Sequence, residues 1–205
     1  MNRLRRGLYL VTPDEPDCDR LLARISPLLA EAACLQYRNK AADADLRLQQ
    51  ARALRAMCAG SGVPLIINDD VELAAAIDAD GVHLGEHDAA IDAARARLGA
   101  TAIIGVSCYD ELARAQHAAA AGADYVAFGA FYPTTTKPSN YRPDPSILTW
   151  WSTVFEIPCV AIGGINPDNA HPLVEAGADF LAVCQAVWGN DDPRAAVQAF
   201  AEVLS

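Results

Sequence analysis

No two of the six cysteines in the 205-residue chain form a C-x-x-C pair, and none shares zinc-type spacing with the four histidines. Structural zinc and a disulfide framework are therefore not expected. Cys18, Cys34, Cys58, Cys108, Cys159 and Cys184 read as small, buried or half-buried thiols in a reducing compartment. No stretch approaches the roughly 20 apolar residues of a membrane helix. The opening MNRLRRGLYLVTP puts basic residues before an apolar run too brief for a secretory leader, with no small-residue cleavage site. Cations are in the minority, with 16 Lys and Arg against 26 Asp and Glu and a net charge of −10. That balance disfavours nucleic acid and anionic membranes as partners, and an anionic ligand must find a local basic pocket or a bridging metal. The expectation is a soluble, cytoplasmic protein acting on small molecules.

What is present is a chain that is 52% apolar, enough for one domain over residues 1–205, with no linker-like stretch dividing it. Short apolar runs recur: GLYLVT (7–12), CLQYRN (34–39), PLIIND (64–69), GVHLG (81–85), AIIGVS (102–107), YVAFG (125–129), PCVAIGG (158–164) and FLAVC (180–184). Helical text follows each, over 21–33, 45–59, 70–77, 89–98, 111–120, 145–151, 167–175 and 193–204. Two segments repeat almost literally, AAGADYVAFG and EAGADFLAVC, with an echo in DADGVHLG, so each helix end leads into a strand in the same way. Eight such units predict a compact α/β fold, a (β/α)8 TIM barrel near the lower length limit of about 200 residues. An open doubly wound sheet is the alternative, but it has fewer strands and a G-x-G-x-x-G turn that is missing here.

Barrel active sites form where strands end and loops follow. Polar groups stand at those positions: Gln36, Arg38 and Lys40 at the second strand, Asn68 and Asp69 at the third, Asp88 after the fourth, Ser107 at the fifth and the PTTTKP loop after the sixth. Strand alternation sends Gln36, Arg38 and Lys40 to one face and Leu35, Tyr37 and Asn39 to the other. The two cations read either as partners of a barrel carboxylate or as an anion clamp, Arg38 as a planar fork and Lys40 as a point charge. Asp69, Asp70 and Asp88 all precede helical text and so read as N-caps. Two carboxylates from adjacent strand ends also suit Mg²⁺, which takes one or two carboxylates and fills its shell with phosphate oxygens. Gly163 and Gly164 leave bare backbone beside the helix opened by Pro167, a phosphate-binding arrangement or simply a tight turn. His83, His87, His117 and His171 receive no catalytic role, His83 reading as a satisfied barrel histidine. Trp150, Trp151 and Trp188 read as packing groups or a homo-oligomer contact.

Together LYLVTP, LQYRNK, IINDD, DGVHLGEHD, IIGVSCYD, GADYVAFGAFYPTTTKP and VAIGGINPDN make the chain resemble thiamine phosphate synthases over essentially its full length. The resemblance implies a Mg²⁺-dependent alkyl transfer that joins hydroxymethylpyrimidine pyrophosphate to a thiazole phosphate and releases pyrophosphate. It implies that Gln36, Tyr37, Arg38, Asn39, Lys40, Asn68, Ser107 and Lys137 hold the pyrimidine pyrophosphate, and that Asp69 and Asp88 hold the metal. Thr134, Thr135, Thr136, Gly164, Cys184 and Gln185 would then receive the thiazole phosphate. Arg38, Lys40 and Lys137 would be catalytic, stabilising the departing pyrophosphate. The chain departs from the family pattern at Asn39, where glutamate is frequent, and at Gln185, where serine is frequent. Two other readings of the same fold are a thiazole tautomerase paralogue and a non-catalytic thiamine phosphate binder. The irregular segment 138–145 is expected to close over the substrates.

Overall fold

The structure is a computed structural model and describes residues 6–134 and 141–204. Eight parallel strands close into a barrel in chain order: β1 (Gly7–Val11), β2 (Ala32–Tyr37), β3 (Leu65–Asn68), β4 (Gly81–Leu84), β5 (Ile103–Tyr109), β6 (Tyr125–Gly129), β7 (Cys159–Ile162) and β8 (Phe180–Val183). Strand β8 returns to pair with β1. The surrounding helices are α1 (Cys18–Ile25), α2 (Ala44–Ser61), α3 (Val71–Ala76), α4 (Ile91–Leu98), α5 (Leu112–Ala120), α6 (Ser146–Val154), α7 (Pro167–Glu175), α8 (Gln185–Trp188) and α9 (Pro193–Val203). The expected (β/α)8 barrel is the observed fold.

Two elements differ from the sequence expectation. The helix expected over 21–33 ends at Ile25, because Pro27 lies in a 3₁₀ turn (Ser26–Glu31) and Ala32 already begins β2. Proline has no N–H to continue an α-helical ladder. The short α8 follows β8 directly, ahead of the expected last helix; four residues are too few to show helical periodicity.

Side-chain alternation divides the core in two. Leu8, Leu10, Leu35, Ile67, Ile104, Phe128 and Leu181 face outward and pack under the helices. Tyr9, Val11, Cys34, Ile66, Ile103, Tyr125, Val160 and Phe180 fill the barrel interior. Outside the barrel, Trp151 is fully buried and stacks on Phe155 with ring centroids 4.1 Å apart. Trp188 is also buried, whereas Trp150 is 38% exposed. Among the described residues, no helix is long and apolar enough to cross a membrane.

The repeated text has a structural meaning. Asp80, Asp124 and Asp179 each stand just before a strand and accept a backbone N–H from the strand before it: Leu65 at 2.9 Å, Ile104 at 2.8 Å and Cys159 at 2.9 Å. Each also pairs with an arginine: Arg55 at 3.6 Å, Arg95 at 2.7 Å and Arg6 at 2.6 Å. The three carboxylates tie successive units together at the floor, opposite the end where the loops gather. Asp179, with its side chain 13% exposed, is the most enclosed of them. Asp179→Ala leaves the Cys159 amide without its acceptor and should cost about 1–3 kcal/mol of unfolding free energy. Denaturant titration measures it, and a loss under about 0.5 kcal/mol would show that the tie is dispensable.

Candidate active site

The strands open at their C-terminal ends into a cavity of about 1160 Å³. Gln36, Arg38, Lys40, Asn68, Asp69, Asp88 and Ser107 line one part of it; Thr134, Gly163, Gly164, Cys184 and Gln185 line another. The run 36–40 divides as strand alternation requires. Tyr37 and Asn39 turn outward and do not line the cavity: the Tyr37 hydroxyl donates to Gln50 Oε1 of α2 at 2.9 Å, and Asn39 Nδ2 donates to the same oxygen at 3.0 Å and to the Glu15 carbonyl at 2.8 Å. Their side chains hold β2 against α2, which corrects the expectation that the whole run contacts substrate. Thr135, Thr136 and Lys137 lie outside the described residues, as do residues 138–140 of the segment expected to close.

Backbone ties set the position of the two cations. Thr12, just past β1, accepts the Arg38 N–H at 2.9 Å and donates its hydroxyl to the Arg38 carbonyl at 2.8 Å. Asp14 accepts the Lys40 N–H at 2.8 Å and lies 3.5 Å from Arg38 Nη1. Lys40 Nζ in turn pairs with Asp69. Both cations thus have carboxylate partners, so the structural reading of them and the anion-clamp reading coexist in one arrangement. Asp14 was not among the residues singled out from sequence. Nothing in TPDEPD separates a site carboxylate from the neighbouring N-cap Asp17, which accepts from the Arg20 amide of α1.

Asp70, not Asp69, is the N-cap of α3, accepting the Leu73 amide at 2.8 Å. Asp69 is freed for the cavity by a left-handed backbone with φ 64°. It shares a hydrogen bond with Asp88, which also accepts the Gly85 amide at 2.6 Å. Burial works to raise the Asp69 carboxyl, but hydrogen bonds from Lys40 and Asp88 and the Lys40 charge outweigh it and hold Asp69 below the usual carboxylate range. Asp88 moves the other way, raised by burial and by the hydrogen bond and charge of Asp69. The opposed shifts are those of two carboxyl groups acting on each other, one also facing a lysine. Two hard oxygen donors on neighbouring strand ends suit Mg²⁺. Among the described residues no set of three or more His, Cys, Asp or Glu side chains gathers to hold a metal.

Across the cavity, Gly164 adopts φ 65°, and a Cβ there would meet the Pro133 carbonyl oxygen at 2.3 Å. Only glycine lets the loops after β6 and β7 approach this closely. Asn169 fixes the turn by donating to the Gly164 carbonyl at 3.1 Å and by closing a capping box with Asn166 at the start of α7. On the rim, Tyr109 packs against Tyr141 with ring centroids 4.7 Å apart.

Comparison with known proteins is consistent throughout the chain. Residues 8–187 match the family described as thiamine monophosphate synthase. The thiamine-phosphate synthase of Xanthomonas campestris pv. campestris (strain 8004) is 60% identical over 195 residues, covering 95% of this chain and 94% of that protein. The enzyme of the same description from Azoarcus sp. (strain BH72) is 55% identical over 201 residues, 98% of each chain. The solved structure of a thiamine phosphate pyrophosphorylase from Pyrococcus furiosus superposes with a TM-score of 0.85 at 32% identity, covering 99% of this chain and 96% of the other. With the closed barrel and the cavity at its C-terminal rim, these likenesses identify the chain as a member of the thiamine monophosphate synthase family.

Proposed function

We propose that this transferase makes thiamine phosphate by moving a pyrimidinylmethyl group from its pyrophosphate to the ring nitrogen of a thiazole phosphate, with Mg²⁺ as cofactor. The observation that carries the reading is one cavity lined by Arg38, Lys40, Asn68, Asp69 and Asp88 from the second to fourth units and by Thr134, Gly164 and Gln185 from the sixth to eighth. The C–O bond breaks with its electron pair leaving on pyrophosphate, and the thiazole lone pair closes onto the same carbon. The electron-rich aminopyrimidine bears the cationic carbon between the two events. No protein nucleophile takes part.

The residues act by holding charge where it develops. Arg38 offers a bidentate fork and Lys40 a point charge to the departing pyrophosphate. By the family resemblance Lys137 would serve the same group, and Thr134, Thr135 and Thr136 the thiazole phosphate. Asp69 and Asp88 would hold Mg²⁺, which supplies charge neutralisation to the leaving group. Lys40, paired with Asp69 in the structure, would meet phosphate oxygens in place of that carboxylate, leaving Asp69 to hold the metal. The cations thus stay paired at every stage, avoiding the cost of a buried charge left alone. A reducing, cytoplasmic setting is in keeping with six cysteines scattered along the sequence without pairing motifs.

Purified protein given both phosphorylated substrates should form thiamine phosphate with Mg²⁺ and none with EDTA, followed by mass spectrometry. Absence of product in the presence of Mg²⁺ would overturn the reading. Asp69→Asn should lower kcat/KM by at least about 100-fold, as expected for loss of electrostatic stabilisation at the reacting centre. Lys137→Ala should lower it by about tenfold or more; a change within about threefold, under ~1 kcal/mol, would remove that lysine from catalysis.

A further inference from the structure

Gln36 and Ser107, which line the cavity, are joined through Tyr9, Tyr125 and His83, three residues that the mechanism above does not use. Gln36 Nε2 donates to the Tyr9 hydroxyl at 3.0 Å. The Tyr9 and Tyr125 hydroxyls are 2.7 Å apart. Tyr125 continues to His83 Nδ1 at 2.9 Å, and His83 Nε2 meets Ser107 Oγ at 2.9 Å. The five residues come from β2, β1, β6, β4 and β5, all on inward positions. Tyr9 and Tyr125 are almost wholly buried, at 2% and 0% exposed. The Tyr125 ring lies over Gly105, where a Cβ would fall 1.9 Å from its Cζ atom. The glycine inside β5 therefore makes room for the centre of the chain.

With the Gln36 amide donating to Tyr9, the other links of the chain take one direction. Each phenol has one proton, and burial raises both well above their ordinary pKa, so both stay neutral. Tyr9 accepts from Gln36 and passes its own proton toward Tyr125. Tyr125 then donates to His83 Nδ1, which must be the bare nitrogen. His83 carries its proton on Nε2 and donates to Ser107, whose hydroxyl proton is left to point into the cavity. Gln36, having spent an N–H on Tyr9, can present Oε1. Turning one member reverses all the others.

We propose that Tyr9, Tyr125 and His83 are positioning residues that fix the hydrogen-bonding polarity of the pyrimidine site, with an acceptor on Gln36 and a donor on Ser107. This rests on the synthase reading and deepens it. A 4-aminopyrimidine offers an amine donor beside a ring-nitrogen acceptor and matches that polarity. A 4-oxopyrimidine offers the reverse pattern and fits only if all five members reverse together, the Gln36 amide orientation and the His83 tautomer included.

The test needs no turnover. Binding of 4-amino- and 4-oxopyrimidine pyrophosphates, with Mg²⁺, is measured by calorimetry on wild type and on Tyr125→Phe, which removes one oxygen from the middle of the chain. Wild type should prefer the amino ring by about 100-fold, and Tyr125→Phe should cut that preference by about tenfold, with thiazole phosphate affinity unchanged. A purely structural role for Tyr125 would weaken both rings equally and overturn the proposal. Independently of any variant, two-bond ¹H–¹⁵N correlation spectra of the wild type should show His83 as the Nε2–H tautomer; the Nδ1–H tautomer would overturn it. Protein that shows the amino preference but makes no thiamine phosphate would refute the reaction and uphold the selection. Protein that binds neither pyrimidine would refute both.

Discussion

Closing eight parallel strands into a ring obliges every second side chain to point inward, and most of what the molecule does follows from that constraint. Outward positions are apolar almost without exception and meet the helices. Inward positions change character with height, from apolar residues such as Ile103 and Phe180, through the phenols Tyr9 and Tyr125, to charged groups at the rim. Arg38 and Lys40 belong to the cavity and Tyr37 and Asn39 to the helix layer because the alternation of β2 carries on through the residues that follow it.

At the rim, charge is balanced locally within a chain whose overall charge is negative. Arg38 has Asp14, Lys40 has Asp69, and Asp69 lies in hydrogen-bonding contact with Asp88. Such a site is complementary to an anion only if partners are exchanged. In the proposed reaction, substrate phosphate would take the place of a carboxylate beside the lysine. Its affinity is then a difference between two well-satisfied states, which keeps the cations from binding every passing anion.

The barrel was legible because its signal is repeated eight times; the boundaries were less so, since Pro27 and the four-residue α8 are local events that periodicity averages away. Alternation alone separated Gln36, Arg38 and Lys40 from Tyr37 and Asn39, while reading 36–40 as a block by family likeness merged them. Asp69 and Asp88 could be singled out as strand-end carboxylates, but only the left-handed backbone at Asp69 distinguishes it from the cap Asp70. The chain from Gln36 to Ser107 was invisible in the sequence. His83 meets partners 42 and 24 residues away, and no spacing rule links a histidine to a tyrosine two strands further on.

The aspartates at the floor reach the chemistry without touching it. Each binds the start of one strand to the residue that opens the next, and so sets how far neighbouring strands slide along one another. In a closed sheet that slide is the stagger, and stagger with strand number determines the bore. Three carboxylates at one end therefore gauge the width of the mouth at the other, where two phosphorylated rings must lie close enough for one to attack the other.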